Sequence, residues 1–462
     1  MPARTRTNLP ASFSHQLPAL HIAAPPRPTF ELSLSALSTL CLALTLLPTP
    51  AAIASDPTYD FSAVTALAQG AVAGQNVNTP VPGFDLLLMK DGRVVYHAAF
   101  GLWWLNRLAN ADSATKTISG GVMLSLIDSA PRPITLDTRL SDFIPAFGGI
   151  RSTITIRQAF SHTSGLGNSI FLGSTTLTLQ QVAQRIALVP LQFSPPNSAF
   201  SYGGSSMHAA GAVGELAGGA PWNTLFAQRI SGPVGMTSTQ FVLSSPTNPR
   251  IDGGCESNAT DFALFMEMLR RGGTTITGTR VLSASSVSQM FTRQTAKPIT
   301  ILNTPVQSPY VDGADYGVGV WLDERDAQGN LLGALAAGAR GFSSWIDFDD
   351  GMVGVFATDV SASGNVQALL YLLRTAAQTA IRNPIFIPCT LADLASNSSD
   401  TARNPNGSLG SEDLDAFIAG FIASNVAIAD IASDSLDTTF NPNNSIGPED
   451  LDAFIASFIA GC

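Results

Sequence analysis

Strand-like segments lie near both ends of residues 84–381, and this arrangement constrains the fold most. Phe84–Met89 and Arg93–Phe100 flank Lys90-Asp91-Gly92, and an Asp-Gly pair between apolar runs is a strong signal for a β-hairpin. Near the other end we expect three more strands: Tyr316–Leu322, Phe342–Phe348 and Met352–Thr358. A helical pattern follows over residues 365–381.

The residues between these two groups of strands show mainly helical periodicity. We expect helices over Ala114–Ser129, Leu179–Ala187, Met207–Ala217 and Ala259–Arg271. The expected fold class is therefore α/β in the broad α+β sense. It consists of an antiparallel sheet built from both ends of the domain, flanked by helices, with an inserted, mainly helical subdomain.

The first 54 residues have the composition of an export leader. Three arginines precede an apolar run over about residues 32–47, and the segment ends in Ala52-Ile53-Ala54. This combination predicts a signal peptide over residues 1–54, cleaved before Ser55. The alternative, a membrane anchor, needs ~18 or more apolar residues. We therefore expect an exported protein, periplasmic or extracellular, with no stable membrane span after cleavage.

Charge divides the rest of the chain into two parts. Residues 55–388 are nearly neutral, whereas residues 389–462 hold eleven acidic side chains and one arginine. We expect a catalytic domain over 55–388 and a small acidic module over 389–462. Cys389 and Cys462 bracket the module, and in an oxidising compartment we expect them to pair. Cys255 has no evident partner in its sequence setting, which favours a buried thiol.

The acidic module contains a repeat. A segment that begins at Asn404 recurs in near copy at Asn441. Apolar residues fall at helical spacing in both copies, at Leu414, Phe417, Ile418, Phe421 and Ile422 and at Leu451, Phe454, Ile455, Phe458 and Ile459. Two such stripes can bury each other, which predicts a small helical repeat module. Pro448 suits the first position of the second helix.

Composition and motif content exclude several classes of function. The formal net charge of -10 argues against a nucleic-acid partner. The histidines after the leader are His97, His162 and His208, and none lies at the spacing of a metal-ligand pair. The sequence has no Gly-x-Ser-x-Gly motif, Walker loop or dinucleotide fingerprint. A zinc hydrolase and an ordinary Ser-His-Asp enzyme are therefore disfavoured, and we expect no cofactor for catalysis.

Ser113 and Lys116 form a Ser-x-x-Lys pair at the start of a predicted helix. At this spacing the two side chains are neighbours on the helix surface. A serine at a helix N-terminus lies close to free N–H groups, and a desolvated lysine beside it can act as its base. One such pair arises by chance with odds of about one in three in a chain of this composition. The pair therefore needs support from other motifs.

Four later segments supply that support: Thr135–Pro145, Ser161-His162-Thr163-Ser164-Gly165-Leu166, Phe200–Gly204 and Gly338–Asp347. Together with Ser113–Lys116 they resemble, in order and spacing, the motifs of the serine β-lactamase and penicillin-recognising hydrolase family. The resemblance is to its class-C-like branch, which includes esterases and D-amino-acid peptidases. It covers roughly residues 84–381.

The resemblance implies a Ser-Lys-Tyr centre. By position, Ser113 would be the acylated nucleophile, Lys116 its general base and Tyr202 the proton relay to the leaving group. The backbone N–H groups of Ser113 and Ala339 would form the oxyanion hole. His162 is expected to fix the turn that contains it by hydrogen bonds. His208 is expected to be structural, and Asp112 to support the start of the nucleophile helix.

Two positions depart from the family pattern in the expected pocket of Gly204, Ala336 and Gly338. Gly204 stands where the family has the Asn of its Tyr-x-Asn motif, and Ala336 stands where it has Lys or His. The missing cation would bind a substrate carboxylate, so a neutral small-molecule ester or amide is the favoured substrate. Two alternatives remain: a weak β-lactamase or D-Ala peptidase acting on a cell-wall-type substrate, and a catalytically silent binding or surface-attachment protein.

The C-terminal repeats resemble the dockerin-like, EF-hand-like repeats of some secreted bacterial proteins. The resemblance places six side chains at calcium-loop positions, namely Asn404, Asn406, Asp413, Asn441, Asn443 and Asp450. Calcium prefers six to eight oxygen ligands with several carboxylates, so calcium binding is one possibility. The other is a helical hairpin held by its apolar stripes. The module would then dock to a surface or to a protein partner.

Overall fold

The structure is a computed structural model that describes residues 58–167, 169–305, 312–360, 364–385 and 390–460. Contacts divide the chain into two compact units. The first is Asp56–Phe386, and the described part of the second is residues 390–460. The expected leader over residues 1–54 and the two cysteines expected to pair, Cys389 and Cys462, lie outside the described residues.

A six-stranded antiparallel sheet forms the centre of the first unit, with strand order β10-β11-β12-β13-β1-β2. The strands of this unit are β1 (Gly83–Lys90), β2 (Arg93–Gly101), β3 (Ala109–Asn110), β4 (Ala199–Ser201), β5 (Gln240–Phe241), β6 (Ser244–Ser245), β7 (Asn248–Pro249), β8 (Cys255–Ser257), β9 (Thr300–Asn303), β10 (Trp321–Arg325), β11 (Leu331–Ala337), β12 (Ser343–Asp347) and β13 (Met352–Ala357). The first strand pairs with the last, with Leu87 opposite Val355. The predicted sheet built from both ends is therefore confirmed.

Helices cover both faces of this sheet. The helices described in this unit are α1 (Ser62–Val72), α2 (Thr115–Ser129), α3 (Ile156–Phe160), α4 (Leu179–Ile186), α5 (Ser205–Gly218), α6 (Trp222–Phe226), α7 (Gly232–Val234), α8 (Ala259–Arg270), α9 (Ala284–Met290) and α10 (Gly364–Arg382). Helices α1 and α10 share one hydrophobic cluster with Leu86 and Leu88 of β1. Helices α2, α5 and α8 share a second cluster with Leu87 and Met89. Successive β1 side chains point to opposite faces and both faces are covered, so Leu86–Met89 form a continuous buried apolar run.

The hairpin predicted around Lys90-Asp91-Gly92 is confirmed. Strands β1 and β2 pair antiparallel on either side of it. Asp91 and Gly92 have φ values of +48° and +87°, as a tight turn of the type that suits the twist of a hairpin requires.

The sheet differs from the sequence prediction at its other edge. We expected a strand over Tyr316–Leu322, but the strand is Trp321–Arg325, and Gly319 interrupts the earlier segment with φ of +77°. Strand β11 was not predicted at all. Its sequence, Leu-Leu-Gly-Ala-Leu-Ala-Ala, has little intrinsic strand preference, and pairing with β10 and β12 on both sides makes it a strand.

The second unit is a small helical repeat module held by its apolar stripes. Its helices are α11 (Ser411–Ile422), α12 (Val426–Ala429) and α13 (Pro448–Ala460). Phe417 of α11 stacks on Phe454 of α13 with ring centroids 4.1 Å apart and planes 8° apart. The prediction that the two stripes bury each other is confirmed for Leu414, Phe417 and Phe454. It is wrong for Ile422 and Ile459, which lie in the last turn of each helix and are 69% and 62% exposed. In the described part of the chain, every helix is too short or too polar to cross a bilayer.

Gly354 in β13 tests the packing of the sheet. A Cβ at this position would fall 2.0 Å from the indole ring of Trp345, which is fully buried on β12. We predict that Gly354→Ala lowers the free energy of unfolding by ~1–3 kcal/mol, the usual cost of overpacking a core. Urea unfolding measures it, with Gly173→Ala as the control because its Cβ meets nothing within 4 Å. Equal stability of the two variants would contradict this packing.

Candidate active site

Ser113 lies in the turn that starts helix α2. A 3₁₀ turn over Asp112–Ala114 leads directly into Thr115–Ser129, so Ser113 and Lys116 fall on the same side of one helical turn. The Nζ atom of Lys116 donates a hydrogen bond to Ser113 Oγ at 3.1 Å. The Ser-x-x-Lys spacing therefore corresponds to a direct contact.

The amine of Lys116 is removed from bulk water. The residue is only 2% exposed, because the rest of α2 is packed into the core of the first unit. Its Nζ also donates to the backbone carbonyl of Asp252 at 2.6 Å and lies 4.7 Å from the ring centroid of Tyr202. Three different segments of the chain thus fix the position of the amine.

Tyr202 reaches this site from the end of strand β4. Its N–H donates to the carbonyl of Asn303 at 3.0 Å, and its own carbonyl accepts from the Asn303 side chain at 2.8 Å. Its ring stacks on Trp321, with centroids 5.4 Å apart and planes 20° apart. Tyr202 and Ser113 line the same cavity, so the structure brings together Ser113, Lys116 and Tyr202.

His162 packs beneath Tyr202, with ring centroids 4.4 Å apart. It adopts a left-handed backbone with φ of +60°, and its carbonyl accepts the N–H of Ser201 at 3.0 Å. Burial, reinforced by the positive charge of Lys116, holds the pKa of His162 well below its usual range. The neutral ring can therefore accept, and the N–H of Gly203 points at Nδ1 from 3.5 Å. His162 shapes the segment that carries Tyr202.

Asp252 occupies the space that the missing Asn side chain would need. A Cβ built on Gly204 would fall 2.2 Å from Asp252 Oδ2. Arg250 holds this carboxylate through two hydrogen bonds of 2.8 and 3.0 Å. Burial opposes ionisation of Asp252, but the hydrogen bonds from Arg250 and the charges of Lys116 and Arg250 keep its pKa below the ordinary value. The carboxylate therefore stays ionised beside the site.

His208 faces the same carboxylate from helix α5. Its Nδ1 lies 3.4 Å from Asp252 Oδ1, and the residue is completely buried. Burial lowers the pKa of His208 to about 4 in spite of the neighbouring negative charge. His208 is therefore neutral at physiological pH, and it is not part of the described cavity lining.

A cavity of about 90 Å³ lies beside Ser113. Its described lining residues are Ser113, Tyr202, Pro305, Leu335, Ala337, Gly338, Ala339, Gly341, Ser343, Val366, Gln367 and Leu370. None of these described lining residues carries a charged side chain. The lining thus combines apolar residues of β11 and α10 with Ser113 and Tyr202.

The two backbone N–H groups expected to form an oxyanion hole both belong to residues of this lining. Ser113 and Ala339 come from segments far apart in sequence. Among the described residues, neither N–H donates to another group of the protein. Neither N–H is therefore taken up by a described partner, and the oxyanion hole formed by these two groups stays a prediction.

The three residues expected in the pocket do not all line the cavity. Gly338 lines the cavity, whereas Gly204 and Ala336 are not part of its lining. Gly204 precedes helix α5 and is covered by Asp252. Ala336 is 2% exposed and points into the core cluster, since Leu335 and Ala337 alternate with it and face the cavity. The one-residue alternation of a strand explains the difference.

The six candidate calcium ligands of the second unit make hydrogen bonds within the protein. Asp413 accepts the N–H groups of Leu394, Ala395 and Gly410 at 2.7–2.9 Å, and Asp450 accepts three N–H groups in the same way. Burial raises the pKa of Asp413 to about 6.

The four asparagines in this set also have protein partners. Asn404 and Asn441 donate to serine and aspartate side chains, and Asn406 and Asn443 accept backbone N–H groups. Within the described ranges no cluster of three or more His, Cys, Asp or Glu side chains is arranged to hold a metal ion. In this structure the carboxylates of Asp413 and Asp450 are bound by backbone N–H groups, and calcium binding by the repeats stays a prediction.

Sequence comparison decides the family. A sequence model described as Beta-lactamase matches residues 66–378, which is more than half of the chain. The protein belongs to the beta-lactamase family. The match includes Ser113, Lys116, Tyr202 and Ala339, and the same region contains the six-stranded sheet.

Two curated relatives of this beta-lactamase-family protein have different functions. Penicillin-binding protein 4 of Amycolatopsis lactamdurans is 24% identical over 250 residues, which cover 46% of this chain and 65% of that protein. A D-aminopeptidase of Cereibacter sphaeroides is 28% identical over 186 residues, which cover 37% of this chain and 35% of that enzyme. The chain thus spans less than two thirds of the length of both relatives.

Solved structures share the fold. A candidate beta-lactamase from Bacteroides dorei superposes with a TM-score of 0.61 at 22% identity, over 71% of this chain and all of that chain. A family VIII carboxylesterase superposes with a TM-score of 0.56 at 16% identity, over 71% of this chain and 99% of that chain. These likenesses support the beta-lactamase-like fold of the first unit.

Sequence reasoning missed two contributors to the site. Asp252 holds Lys116 through its backbone carbonyl, which no side-chain pattern reveals. Trp321 stacks on Tyr202, a contact between distant segments that residue spacing does not indicate. The pairing of Arg340 with Asp112 is likewise evident only in the structure.

The buried histidines predict a loss of stability in acid. Because the folded-state pKa of His208 is about 4 and its ordinary value is 6.5, the unfolded chain binds more protons between these values. The free energy of unfolding should therefore fall as pH is lowered from 6.5 to 4, by ~3 kcal/mol from His208, and His162 acts in the same direction.

Urea unfolding at pH 7 and pH 4.5 measures this effect. His208→Gln removes the titrating group, so its stability should depend less steeply on pH than that of the wild type. The same slope in both proteins would contradict the assignment of a neutral, buried His208.

Proposed function

We propose that this protein is an exported serine hydrolase that cleaves a neutral ester or amide through an acyl-enzyme on Ser113. The observation that carries the proposal is the contact of 3.1 Å between the buried Lys116 Nζ and Ser113 Oγ. A hydroxyl beside an amine in a site shielded from water is the arrangement that a serine nucleophile needs.

The proposed acylation step uses each group of the site once. Ser113 Oγ forms a bond to the substrate carbonyl carbon while its proton passes to the lone pair of Lys116 Nζ, which enters this step as the neutral amine. The carbonyl electron pair moves onto oxygen, and the N–H groups of Ser113 and Ala339 donate to this oxyanion. The tetrahedral intermediate then collapses, and Tyr202 passes a proton from Lys116 to the departing alkoxide or amine. Water, deprotonated by the same groups, hydrolyses the acyl-enzyme and restores Ser113.

The lack of charged side chains in the described cavity lining favours a neutral substrate. The described lining of the cavity has neither a cation for the carboxylate of a penicillin nor an anion for the ammonium group of a D-amino acid. Leu335, Val366 and Leu370 instead offer an apolar wall, and the volume of about 90 Å³ suits a small acyl group. These features support ester or simple amide cleavage over β-lactam hydrolysis.

We also propose that the protein acts outside the cytoplasm and that its second unit docks to a surface or to a protein partner. The composition of residues 1–54 supports export. The proposed partner surface rests on the repeat resemblance of residues 389–462, and the proposed bond between Cys389 and Cys462 would close that module.

An activity panel tests the proposed function. We predict turnover of a chromogenic short-chain ester by the wild type, with slower turnover of a long-chain ester, of nitrocefin and of a D-amino-acid amide. Ser113→Ala should lower ester turnover at least ~10³-fold and Tyr202→Phe about 10²-fold. Ser129→Ala, a serine at the opposite end of the same helix, should leave it unchanged.

The relative turnover rates of these substrates distinguish the candidate functions. Nitrocefin turnover equal to ester turnover would indicate a β-lactamase, and faster cleavage of the D-amino-acid amide would indicate a peptidase. A folded wild type that turns over none of these substrates and does not react with a fluorophosphonate would contradict a serine hydrolase and favour a binding protein.

A further inference from the structure

An ion pair joins the two segments that carry the oxyanion N–H groups. The guanidinium group of Arg340 donates from Nε to Asp112 Oδ2 and from Nη2 to Asp112 Oδ1, both at 2.9 Å. The backbone N–H of Arg340 donates to the same Oδ2 at 3.0 Å. Three hydrogen bonds therefore connect residues that are 228 positions apart.

The positions of these two residues in the sequence give the pair its significance. Asp112 immediately precedes Ser113, and Arg340 immediately follows Ala339. Each residue is thus the direct neighbour in sequence of one of the two cavity-lining residues whose N–H groups have no described partner. The Asp112–Arg340 contact therefore connects the two segments that carry these N–H groups.

The backbone is constrained in both of the segments that the Asp112–Arg340 pair joins. Asp112 has a left-handed conformation with φ of +44°, which is unfavourable for a residue with a Cβ. Gly338 approaches the nucleophile turn so closely that a Cβ there would fall 2.4 Å from the carbonyl oxygen of Ala111. The Asp112–Arg340 contact holds this closely packed turn against the segment that follows β11.

A second carboxylate holds the guanidinium group in place. Asp359 Oδ1 lies 3.3 Å from Arg340 Nε, and the side chain of Arg340 is 35% exposed. Between two carboxylates, Arg340 is committed to the protein and is not positioned as a free cation for a substrate. Its position next to the cavity therefore indicates a supporting role.

We propose that Asp112 and Arg340 are a positioning pair that sets the geometry of the oxyanion hole formed by the N–H groups of Ser113 and Ala339. This inference rests on the proposed function. Oxyanion donors act only when they meet the oxygen at hydrogen-bonding distance, and loss of one donor costs about 10²–10³-fold in kcat. A displacement of about 1 Å at such a site costs on the order of 10²-fold.

Two variants separate this role from simple backbone strain. Arg340→Met removes the guanidinium group and keeps much of the side-chain bulk. Asp112→Gly removes the carboxylate but accepts the left-handed backbone without strain. If the pair positions the donors, both variants should lower kcat for a short-chain ester about 10- to 100-fold while KM changes less than about threefold. The double variant should be no slower than the slower single variant, since both remove the same contact.

A boronic acid that forms a tetrahedral adduct with Ser113 gives a second readout. Its affinity should fall in proportion to kcat, because the adduct places an oxygen between the two donors. If the pair had only a structural role, kcat and the affinity for the boronic acid would not fall together. Melting temperature is recorded for every variant, so that loss of folding is not mistaken for loss of the donors.

Arg157→Met is the matched control. Arg157 also makes a two-pronged ion pair, to Asp137, with both contacts at 2.8 Å, and its side chain is 32% exposed. This variant should keep wild-type kcat and boronic acid affinity. If Arg340→Met and Asp112→Gly match Arg157→Met, or if Asp112→Gly alone retains full kcat, the positioning role is overturned. Failure of the proposed function is a different result: the wild-type protein itself neither hydrolyses the ester nor binds the boronic acid.

Discussion

The position of one buried amine is the constraint on which the rest of the site depends. Lys116 Nζ contacts Ser113 Oγ, the Asp252 carbonyl and the face of Tyr202. These three partners come from the start of α2, from the loop before β8 and from the end of β4. Burying an amine is costly unless its hydrogen bonds are satisfied, so the three segments must meet at this point in the folded chain.

The molecule separates charge from the cavity that would hold substrate. Arg250 and Asp252 form one ion pair, Asp112 and Arg340 form another, and none of the four belongs to the described cavity lining. The described lining itself contains hydroxyl, amide and apolar groups. Ion pairs can thus fix the backbone around the site without offering a charge to the substrate, which is consistent with chemistry on a neutral ester or amide.

In the second unit, two carboxylates organise the repeat loops. Asp413 and Asp450 each accept three backbone N–H groups. Calcium binding by these loops stays a prediction. The stacked rings of Phe417 and Phe454 supply the apolar contact between the two copies.

Much of the first unit was predictable because its signals are local. The Lys90-Asp91-Gly92 turn, the strands on either side of it and the start of α2 follow from residue spacing alone. Strand β11 was missed because its alanines and glycine become a strand only through pairing on both sides. The hydrogen bond from Lys116 to the backbone carbonyl of Asp252 could not be predicted, because every residue has such a carbonyl. The Asp112–Arg340 pair depends on a contact across 228 residues.

Mass spectrometry of the protein during ester turnover tests the central claim most directly. The wild type, quenched in acid within the first turnovers, should gain the mass of one acyl group, and peptide mapping should place it on Ser113. Lys116→Met should accumulate this adduct at least ~10²-fold more slowly, because the serine loses its base. An adduct on another residue, or acylation of Lys116→Met at the wild-type rate, would contradict the account.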